Sequence, residues 1–124
     1  MSVRRAVLNI HSSHFDENRN FYVNLLGFEV SMEMNWIMTF ASPTNPTAQI
    51  TVLQKDLTAP VDPNLTVEVG DVDSIYASAI QSKFNIVYPL TDEPWGVRRF
   101  FVLDPNGQVV NVMSHSVSPS EDEL

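Results

Sequence analysis

The chain has 124 residues, no cysteine, and 15 acidic against 7 basic side chains, a formal charge of −8. That length suits one domain able to bury roughly two-thirds of its unfolded surface in a single core. The absence of cysteine excludes disulfides, thiolate catalysis and cysteine metal sites, and it fits a reducing, cytoplasmic setting. The acidity argues against nucleic acid and anionic membrane as partners, because phosphates would be repelled. A cationic small molecule would be attracted, although acidity also serves solubility alone. Met1-Ser-Val-Arg-Arg leads straight into a strand-like run, with no secretory apolar region and no later run long enough for a bilayer span.

Val3 to Ile10 alternates, with Val3, Arg5, Val7 and Asn9 on one face and Ala6, Leu8 and Ile10 on the other. His11-Ser12-Ser13-His14 reads as a polar loop. A helix is expected from about Asp16, which can cap it, with Glu17 near its positive end. Phe21, Tyr22 and Leu25 share a core-facing stripe, and Gly27 stands where a left-handed stop belongs. Strands are predicted over Phe28 to Glu33, Trp36 to Ala41 and Ala48 to Gln54, with a turn at Asn35 and a loop over Ser42-Pro-Thr-Asn-Pro46. Residues 55–63, with Pro60 and Pro63, lack periodicity and read as a linker.

The pattern then repeats. Leu65, Val67 and Val69 alternate with Thr66 and Glu68. Asp71 caps a second helix, in which Val72, Ile75, Tyr76, Ala79 and Ile80 form one face and which Asn85 ends. Ile86 to Tyr88 is a short strand. Arg98 to Leu103 and Gln108 to Met113 form a hairpin around Asp104-Pro105-Asn106-Gly107, a type I turn followed by a left-handed glycine. Phe100 and Val102 face the helix, leaving Arg99, Phe101 and Leu103 on the opposite side. Ahead of the hairpin, Glu93-Pro94-Trp95-Gly96 places an acid and an indole beside two arginines, a combination suited to a ligand wall. Residues 116–124 form an acidic tail with little to bury, expected to be disordered. The fold class is α+β: a first βαβββ module over residues 1–54, the linker, and a second module over residues 64–115.

Phe21-Tyr22 with Leu25-Leu26-Gly27-Phe28, then Trp95-Gly96-Val97-Arg98-Arg99, then Asp104-Pro105-Asn106-Gly107 resemble, in order and spacing, motifs of the vicinal oxygen chelate superfamily. That superfamily includes glyoxalase I, extradiol dioxygenases, fosfomycin-resistance enzymes and bleomycin-resistance proteins. The likeness spans about residues 3 to 115. It implies paired βαβββ modules whose curved mixed sheet forms a cup around a ligand, in many members completed by a homodimer. Catalytic members hold a divalent metal with His, Gln or Glu on concave strand positions. Here those slots fall at Arg5, Thr51, Asn64 and Asn111, none a usual ligand. Gln49 and Glu68 also face the cup but are too few for a protein metal site. His11, His14 and His115 lie just past strands, either converging at one end or solvated. The expectation is therefore no metal cofactor, a metal-free character like that of the bleomycin-resistance-like members, and binding of a small organic molecule such as an antibiotic or metabolite. A metal-dependent lyase, isomerase or dioxygenase is the alternative, and a structural or regulatory partner a third reading.

The candidate binding residues are Arg5, Val7, Asn9, Gln49, Thr51, Glu68, Arg99, Asn111 and Met113, with Trp36, Phe40, Trp95 and Phe101 for stacking on aromatic rings. Leu53, Val109, Asn64, Thr66 and Tyr88 extend the same walls. Arg5 needs a partner on the concave face: either Glu68 or an anionic ligand. Arg98 and Arg99 are solvated or paired with Asp92 or Glu93. Trp95 covers the cup or plugs a dimer interface, and Trp36 shares that ambiguity. No Ser-His-acid arrangement is visible by spacing, and in a metal-free enzyme Glu68 would be the general base, its pKa raised by an apolar cup.

Overall fold

The computed structural model describes residues 2–115, so the acidic tail lies outside the described residues. Strand β1 (Val3–His11) leads to helix α1 (Phe15–Arg19), which continues as a π-helical turn (Asn20–Leu25). Strands β2 (Glu29–Met34), β3 (Ile37–Ala41) and β4 (Gln49–Leu53) complete the first half. The second half repeats the order with β5 (Leu65–Val69), α2 (Val72–Gln81), β6 (Ile86–Glu93), β7 (Val97–Leu103) and β8 (Val109–His115). The eight strands make one mixed sheet in the order β2-β3-β4-β1-β5-β8-β7-β6. β1 lies parallel to β4 and β5 parallel to β8, pairings that the long connections through helix and hairpin allow. The two halves join where β1 and β5 pair antiparallel, with Arg5 opposite Glu68 and Val7 opposite Thr66.

Both helices cover the same, convex face. Beneath α1, Met38, Phe40 and Val52 are buried against Phe15, Tyr22 and Phe28, with the Tyr22 and Phe40 rings 5.0 Å apart. Beneath α2, Val69, Val72, Ala79, Phe100 and Val112 form the second cluster, with Tyr76 4.9 Å from Phe100. Phe40 therefore belongs to the core. Met38 and Phe40 point under α1, while Ile37 and Thr39 face the other way, so Phe40 cannot stack on a ligand in the cup.

Local chemistry explains several departures from expectation. Asp16 does not cap α1; the cap position is His14, and the Ser12 hydroxyl accepts from His14 N at 3.1 Å and Asn18 Nδ2 at 2.9 Å. After Arg19 the helix widens, with Leu26 N reaching back to Phe21 O at 3.2 Å. A π turn breaks the α-helical stripe, so Tyr22 packs inward while Phe21 and Leu25 remain exposed. Asp71 does cap α2, accepting from Ser74 N at 3.2 Å. That helix ends at Gln81 rather than Asn85, because Lys83 takes the left-handed conformation at φ 62°. Ile80, in its last turn, is exposed.

Strand β6 runs on to Glu93 instead of stopping at Tyr88. It accommodates Pro89 because it is an edge strand whose register slips between Tyr88 and Thr91. Trp36 lies in the β2–β3 turn, just before β3. The Asp104–Gly107 turn forms as expected: Gly107 sits at φ 80° and donates to Asp104 O at 3.1 Å. Asp104 Oδ1 accepts from Gln108 N at 2.9 Å and Asn106 N at 2.8 Å, which holds that carboxyl below its ordinary value. No helix among the described residues is long and apolar enough to cross a membrane.

Phe40→Ala is expected to destabilise the protein by about 3–5 kcal/mol through the cavity it leaves. The drop would be read from the urea midpoint at unchanged slope. A loss of ligand binding without a loss of stability would return Phe40 to the cup.

Candidate functional site

The concave face encloses a cup of about 550 Å³, walled by residues from both halves of the one chain. Its floor follows from strand alternation, which sends Arg5, Val7 and Asn9 of β1, Thr51 of β4, Thr66 of β5 and Asn111 of β8 to the same side. Register then lines up a row of neutral polar side chains. Thr39 lies opposite Thr51, Thr51 opposite Asn9, and Thr66 opposite Asn111. The Thr39 and Thr51 hydroxyls bond each other at 2.8 Å, and Asn9 Nδ2 donates to Thr66 Oγ1 at 2.8 Å.

The roof comes from the sheet's two ends. β2 and β6 are the outermost strands, and the turns leaving them carry Trp36 and Trp95. The indoles meet edge to face, 5.5 Å between centroids at 62°. The sheet curls far enough for its opposite ends to touch, so both tryptophans cover the cup within one chain. Gly96 at φ 85°, donating to Glu93 O at 3.2 Å, makes the tight turn that aims Trp95 inward.

Trp95 rests on a buried ion network. Arg99 is 4 % exposed, and its guanidinium grips Asp56 with two bonds of 2.9 and 2.7 Å. Its Nε donates to Glu93 Oε2 at 2.6 Å and Nη2 to Thr58 Oγ1 at 3.1 Å. Tyr88 OH also donates to Glu93, at 2.9 Å. Arg99 Cζ lies 5.2 Å from the Trp95 ring centroid and 4.8 Å from that of Phe101. Burial pushes the Asp56 carboxyl up, but the bonds and charge of Arg99 and the backbone N–H groups of Ala59 and Thr58 outweigh it and hold it below the usual range. Burial alone would lower Arg99; Asp56 first, then Glu93, raise it instead.

At the other end of the floor, Arg5 Nε donates to Glu68 Oε1 at 2.5 Å, and its Nη1 donates to Gln49 Oε1. His115 Nδ1 approaches the second Glu68 oxygen at 2.9 Å. Of the two partners open to Arg5, the structure has Glu68. Burial raises the Glu68 carboxyl, while Arg5 and His115 more than reverse this and leave it below its ordinary value. A general base with raised pKa is therefore not what Glu68 is.

The floor does not fit a divalent cation. Arg5 offers no lone pair, Thr51 and Asn111 offer neutral oxygens, and Glu68, Asp56 and Glu93 are engaged by guanidinium groups. Asn64 lies outside the cup, its Oδ1 accepting from Val109 N at 2.9 Å. The histidines do not converge: His115 sits with Glu68 near the start of β1, whereas His11 ends that strand beside Asp62. Among the described residues, no three His, Cys, Asp or Glu side chains gather as a metal site.

Arg5, Val7, Asn9, Trp36, Gln49, Thr51, Trp95, Arg99, Asn111 and Met113 all line the cup, as does Leu53. Phe40 does not, for the reason above. Phe101 is on the concave side but fully buried between Tyr88 and Arg99, so it supports the wall rather than forming it. Glu68 also stands behind the lining, holding Arg5, and neither Val109 nor Tyr88 reaches the cup. Arg98 is outside, bridging Asp73 at 2.8 Å and Asp92 at 2.9 Å. Sequence reasoning missed Asp56 and Thr58. Residues 55–63 contain no helix or strand, yet Asp56 is 4 % exposed and Oδ1 accepts from Thr58 N and Ala59 N. The signal available was Asp56-Leu57-Thr58, an Asx-turn pattern whose acid also suits a concave arginine.

A family model described as the Glyoxalase/Bleomycin resistance protein/Dioxygenase superfamily matches residues 6–112. No curated protein matches the chain. Among solved structures, a member of that superfamily from Vibrio splendidus 12B01 is 17% identical, covers 91% of this chain and 98% of its own, and has a TM-score of 0.68. A Legionella pneumophila protein described as an NAD-dependent benzaldehyde dehydrogenase is 16% identical over 89% of this chain and 98% of its own, with a TM-score of 0.70. The Mn(II)-bound glyoxalase from Novosphingobium aromaticivorans is 18% identical, with a TM-score of 0.58 over 93% of this chain and 39% of its own. At such identities the likeness is one of fold, and a fold does not settle chemistry.

Asp56→Ala would leave the buried Arg99 short of its bidentate partner, at an expected cost of about 3–5 kcal/mol in chemical denaturation; a change below 1 kcal/mol would mean that Glu93 suffices. Acid gives a second check. Asp56 and Glu68 are held below ordinary values of 3.8 and 4.5, so near those values the unfolded chain binds more protons. Their contribution is complete above about pH 5 and is lost as pH falls through the folded values. The thermal midpoint should fall with pH across that window, less steeply in Asp56→Asn; equal slopes would exclude Asp56 as a source.

Proposed function

The chain belongs to the glyoxalase/bleomycin resistance protein/dioxygenase superfamily, and we propose that within it this protein binds a small organic molecule, an antibiotic or metabolite, in its cup without a metal ion. The observation that carries this reading is the row of Thr39, Thr51, Asn9, Thr66 and Asn111 across the floor, where a catalytic relative would need carboxylate or imidazole donors. Neutral amides and hydroxyls under two indoles suit a flat, amphipathic guest, and the volume is typical of ligand pockets. Arg5 and Arg99 carry their own counterions, so an anionic guest would have to compete with Glu68, Asp56 and Glu93. A cytoplasmic setting accords with the cysteine-free composition. The homodimer expected from the family resemblance enters this reading as a pairing outside the cup, since walls from both halves of one chain already enclose it.

Metal analysis of protein purified without chelator tests the reading. Substoichiometric metal is expected, together with a raised thermal midpoint and altered tryptophan fluorescence in the presence of flat aromatic compounds. Trp95→Phe should diminish the fluorescence response while the fold persists. Stoichiometric, tightly held nickel, zinc, manganese or iron would overturn the proposal in favour of metal-dependent lyase, isomerase or dioxygenase chemistry.

A further inference from the structure

One group on the floor is unmet. Asn111 is 7 % exposed, and its Oδ1 is buried with no hydrogen-bond partner among the described residues. Its Nδ2 donates to Thr66 Oγ1 at 3.2 Å, the same oxygen that takes Asn9 Nδ2 at 2.8 Å. Thr66 thus accepts from two amides and keeps its own proton to give. Turning the Asn111 amide over does not remove the shortage. Oδ1 would then accept the Thr66 proton, and Nδ2 would become the unmet end. Buried polar groups without partners are rare in native proteins. The other hydroxyls of the row, Thr39 and Thr51, share a hydrogen bond at 2.8 Å, so each has a partner, whereas Asn111 Oδ1 is the buried side-chain atom with none among the described residues.

These neighbours set the chemistry of a guest. Asn111 Oδ1 asks for an N–H, and the Thr66 hydroxyl beside it can give a proton to a carbonyl. Adjacent N–H and C=O groups are the edge of a lactam or primary amide. The charges near the cup, two guanidinium groups against three carboxylates, give no net attraction for an anion. Trp36 and Trp95 provide aromatic faces above. Resting on the metal-free reading of the cup, we infer that its guest is a flat, uncharged molecule held by a lactam or primary-amide edge on Asn111 and Thr66.

The test compares quinolin-2-one, its N-methyl derivative and quinoline-2-carboxylate by calorimetry on the full chain. Quinolin-2-one should bind, and N-methylation should weaken it by about tenfold or more, the change expected when a buried acceptor loses its donor. The carboxylate should bind worst. In Asn111→Leu the difference between the lactam and its N-methyl form should vanish, with circular dichroism confirming the fold. The comparison on the unaltered protein needs no variant, so a misfolded Asn111→Leu leaves it intact. Equal binding of lactam and N-methyl lactam would overturn the inference while leaving the cup a binding site. Preference for the N-methyl form or the carboxylate would overturn it by showing that Asn111 presents its N–H. Binding of none would also overturn it, and metal content in the same preparation would say whether the metal-free reading falls as well.

Discussion

Arg99 cannot occupy the concave face of β7 alone. It is 4 % exposed, and a buried guanidinium stripped of a partner destabilises a protein by about 3–5 kcal/mol. Its counterions come from separate places: Asp56 from the connection between the halves and Glu93 from the end of β6. Forming the network therefore pins the connection against the second half and fixes the turn that carries Trp95. Trp95 packs over the guanidinium and reaches Trp36 at the far end of the sheet. One charged side chain thus determines where the connection runs and how the cup is roofed.

The same economy appears in the repeat. Each half lays one helix on the convex face and presents a tyrosine to a buried phenylalanine, Tyr22 to Phe40 and Tyr76 to Phe100. Neither half alone has a concave face closed on itself. The β1–β5 pairing sets the two side by side, and their floors become continuous through Asn9 and Thr66. The halves differ on the concave side: β3 puts Thr39 there and β7 puts Arg99 there. At these equivalent positions the first half thus presents a hydroxyl and the second a guanidinium.

How much of this is legible in sequence depends on how local the cause is. Alternation in β1 and β5, the Asp71 cap, and the Asp104–Gly107 turn are written within a few residues, and these elements stand where the sequence places them. The repeated order of elements follows from them. Phe40 departs from its expected place because β3 is covered on both faces, so burial does not alternate along it and sequence alone does not separate the cup side from the core side. Phe21 departs from the expected core stripe because a π turn shifts that stripe, and no residue in Asn20–Leu25 announces one. Asp56 lies 43 positions from Arg99 in a stretch that reads as linker. The Trp36–Trp95 contact depends on the curl of an entire sheet, a property of eight strands together.

The way the cup's charges are arranged bears on how it can discriminate. A metal-centred cup orients its guest chiefly by charge, which acts at a distance and tolerates variation in shape. On the metal-free binding reading proposed above, the arginines are neutralised before any guest arrives, and their partners hold them in place, so little reorganisation is left to drive. Selection falls to the neutral row and the aromatic roof. A neutral hydrogen bond adds only about 1 kcal/mol when made, but leaving a buried partner unmatched costs more. Such a floor therefore selects mainly by rejecting guests whose donors and acceptors are out of order. On the proposed reading that rejection is concentrated at Asn111 and Thr66, where a buried amide oxygen lacks a partner among the described residues.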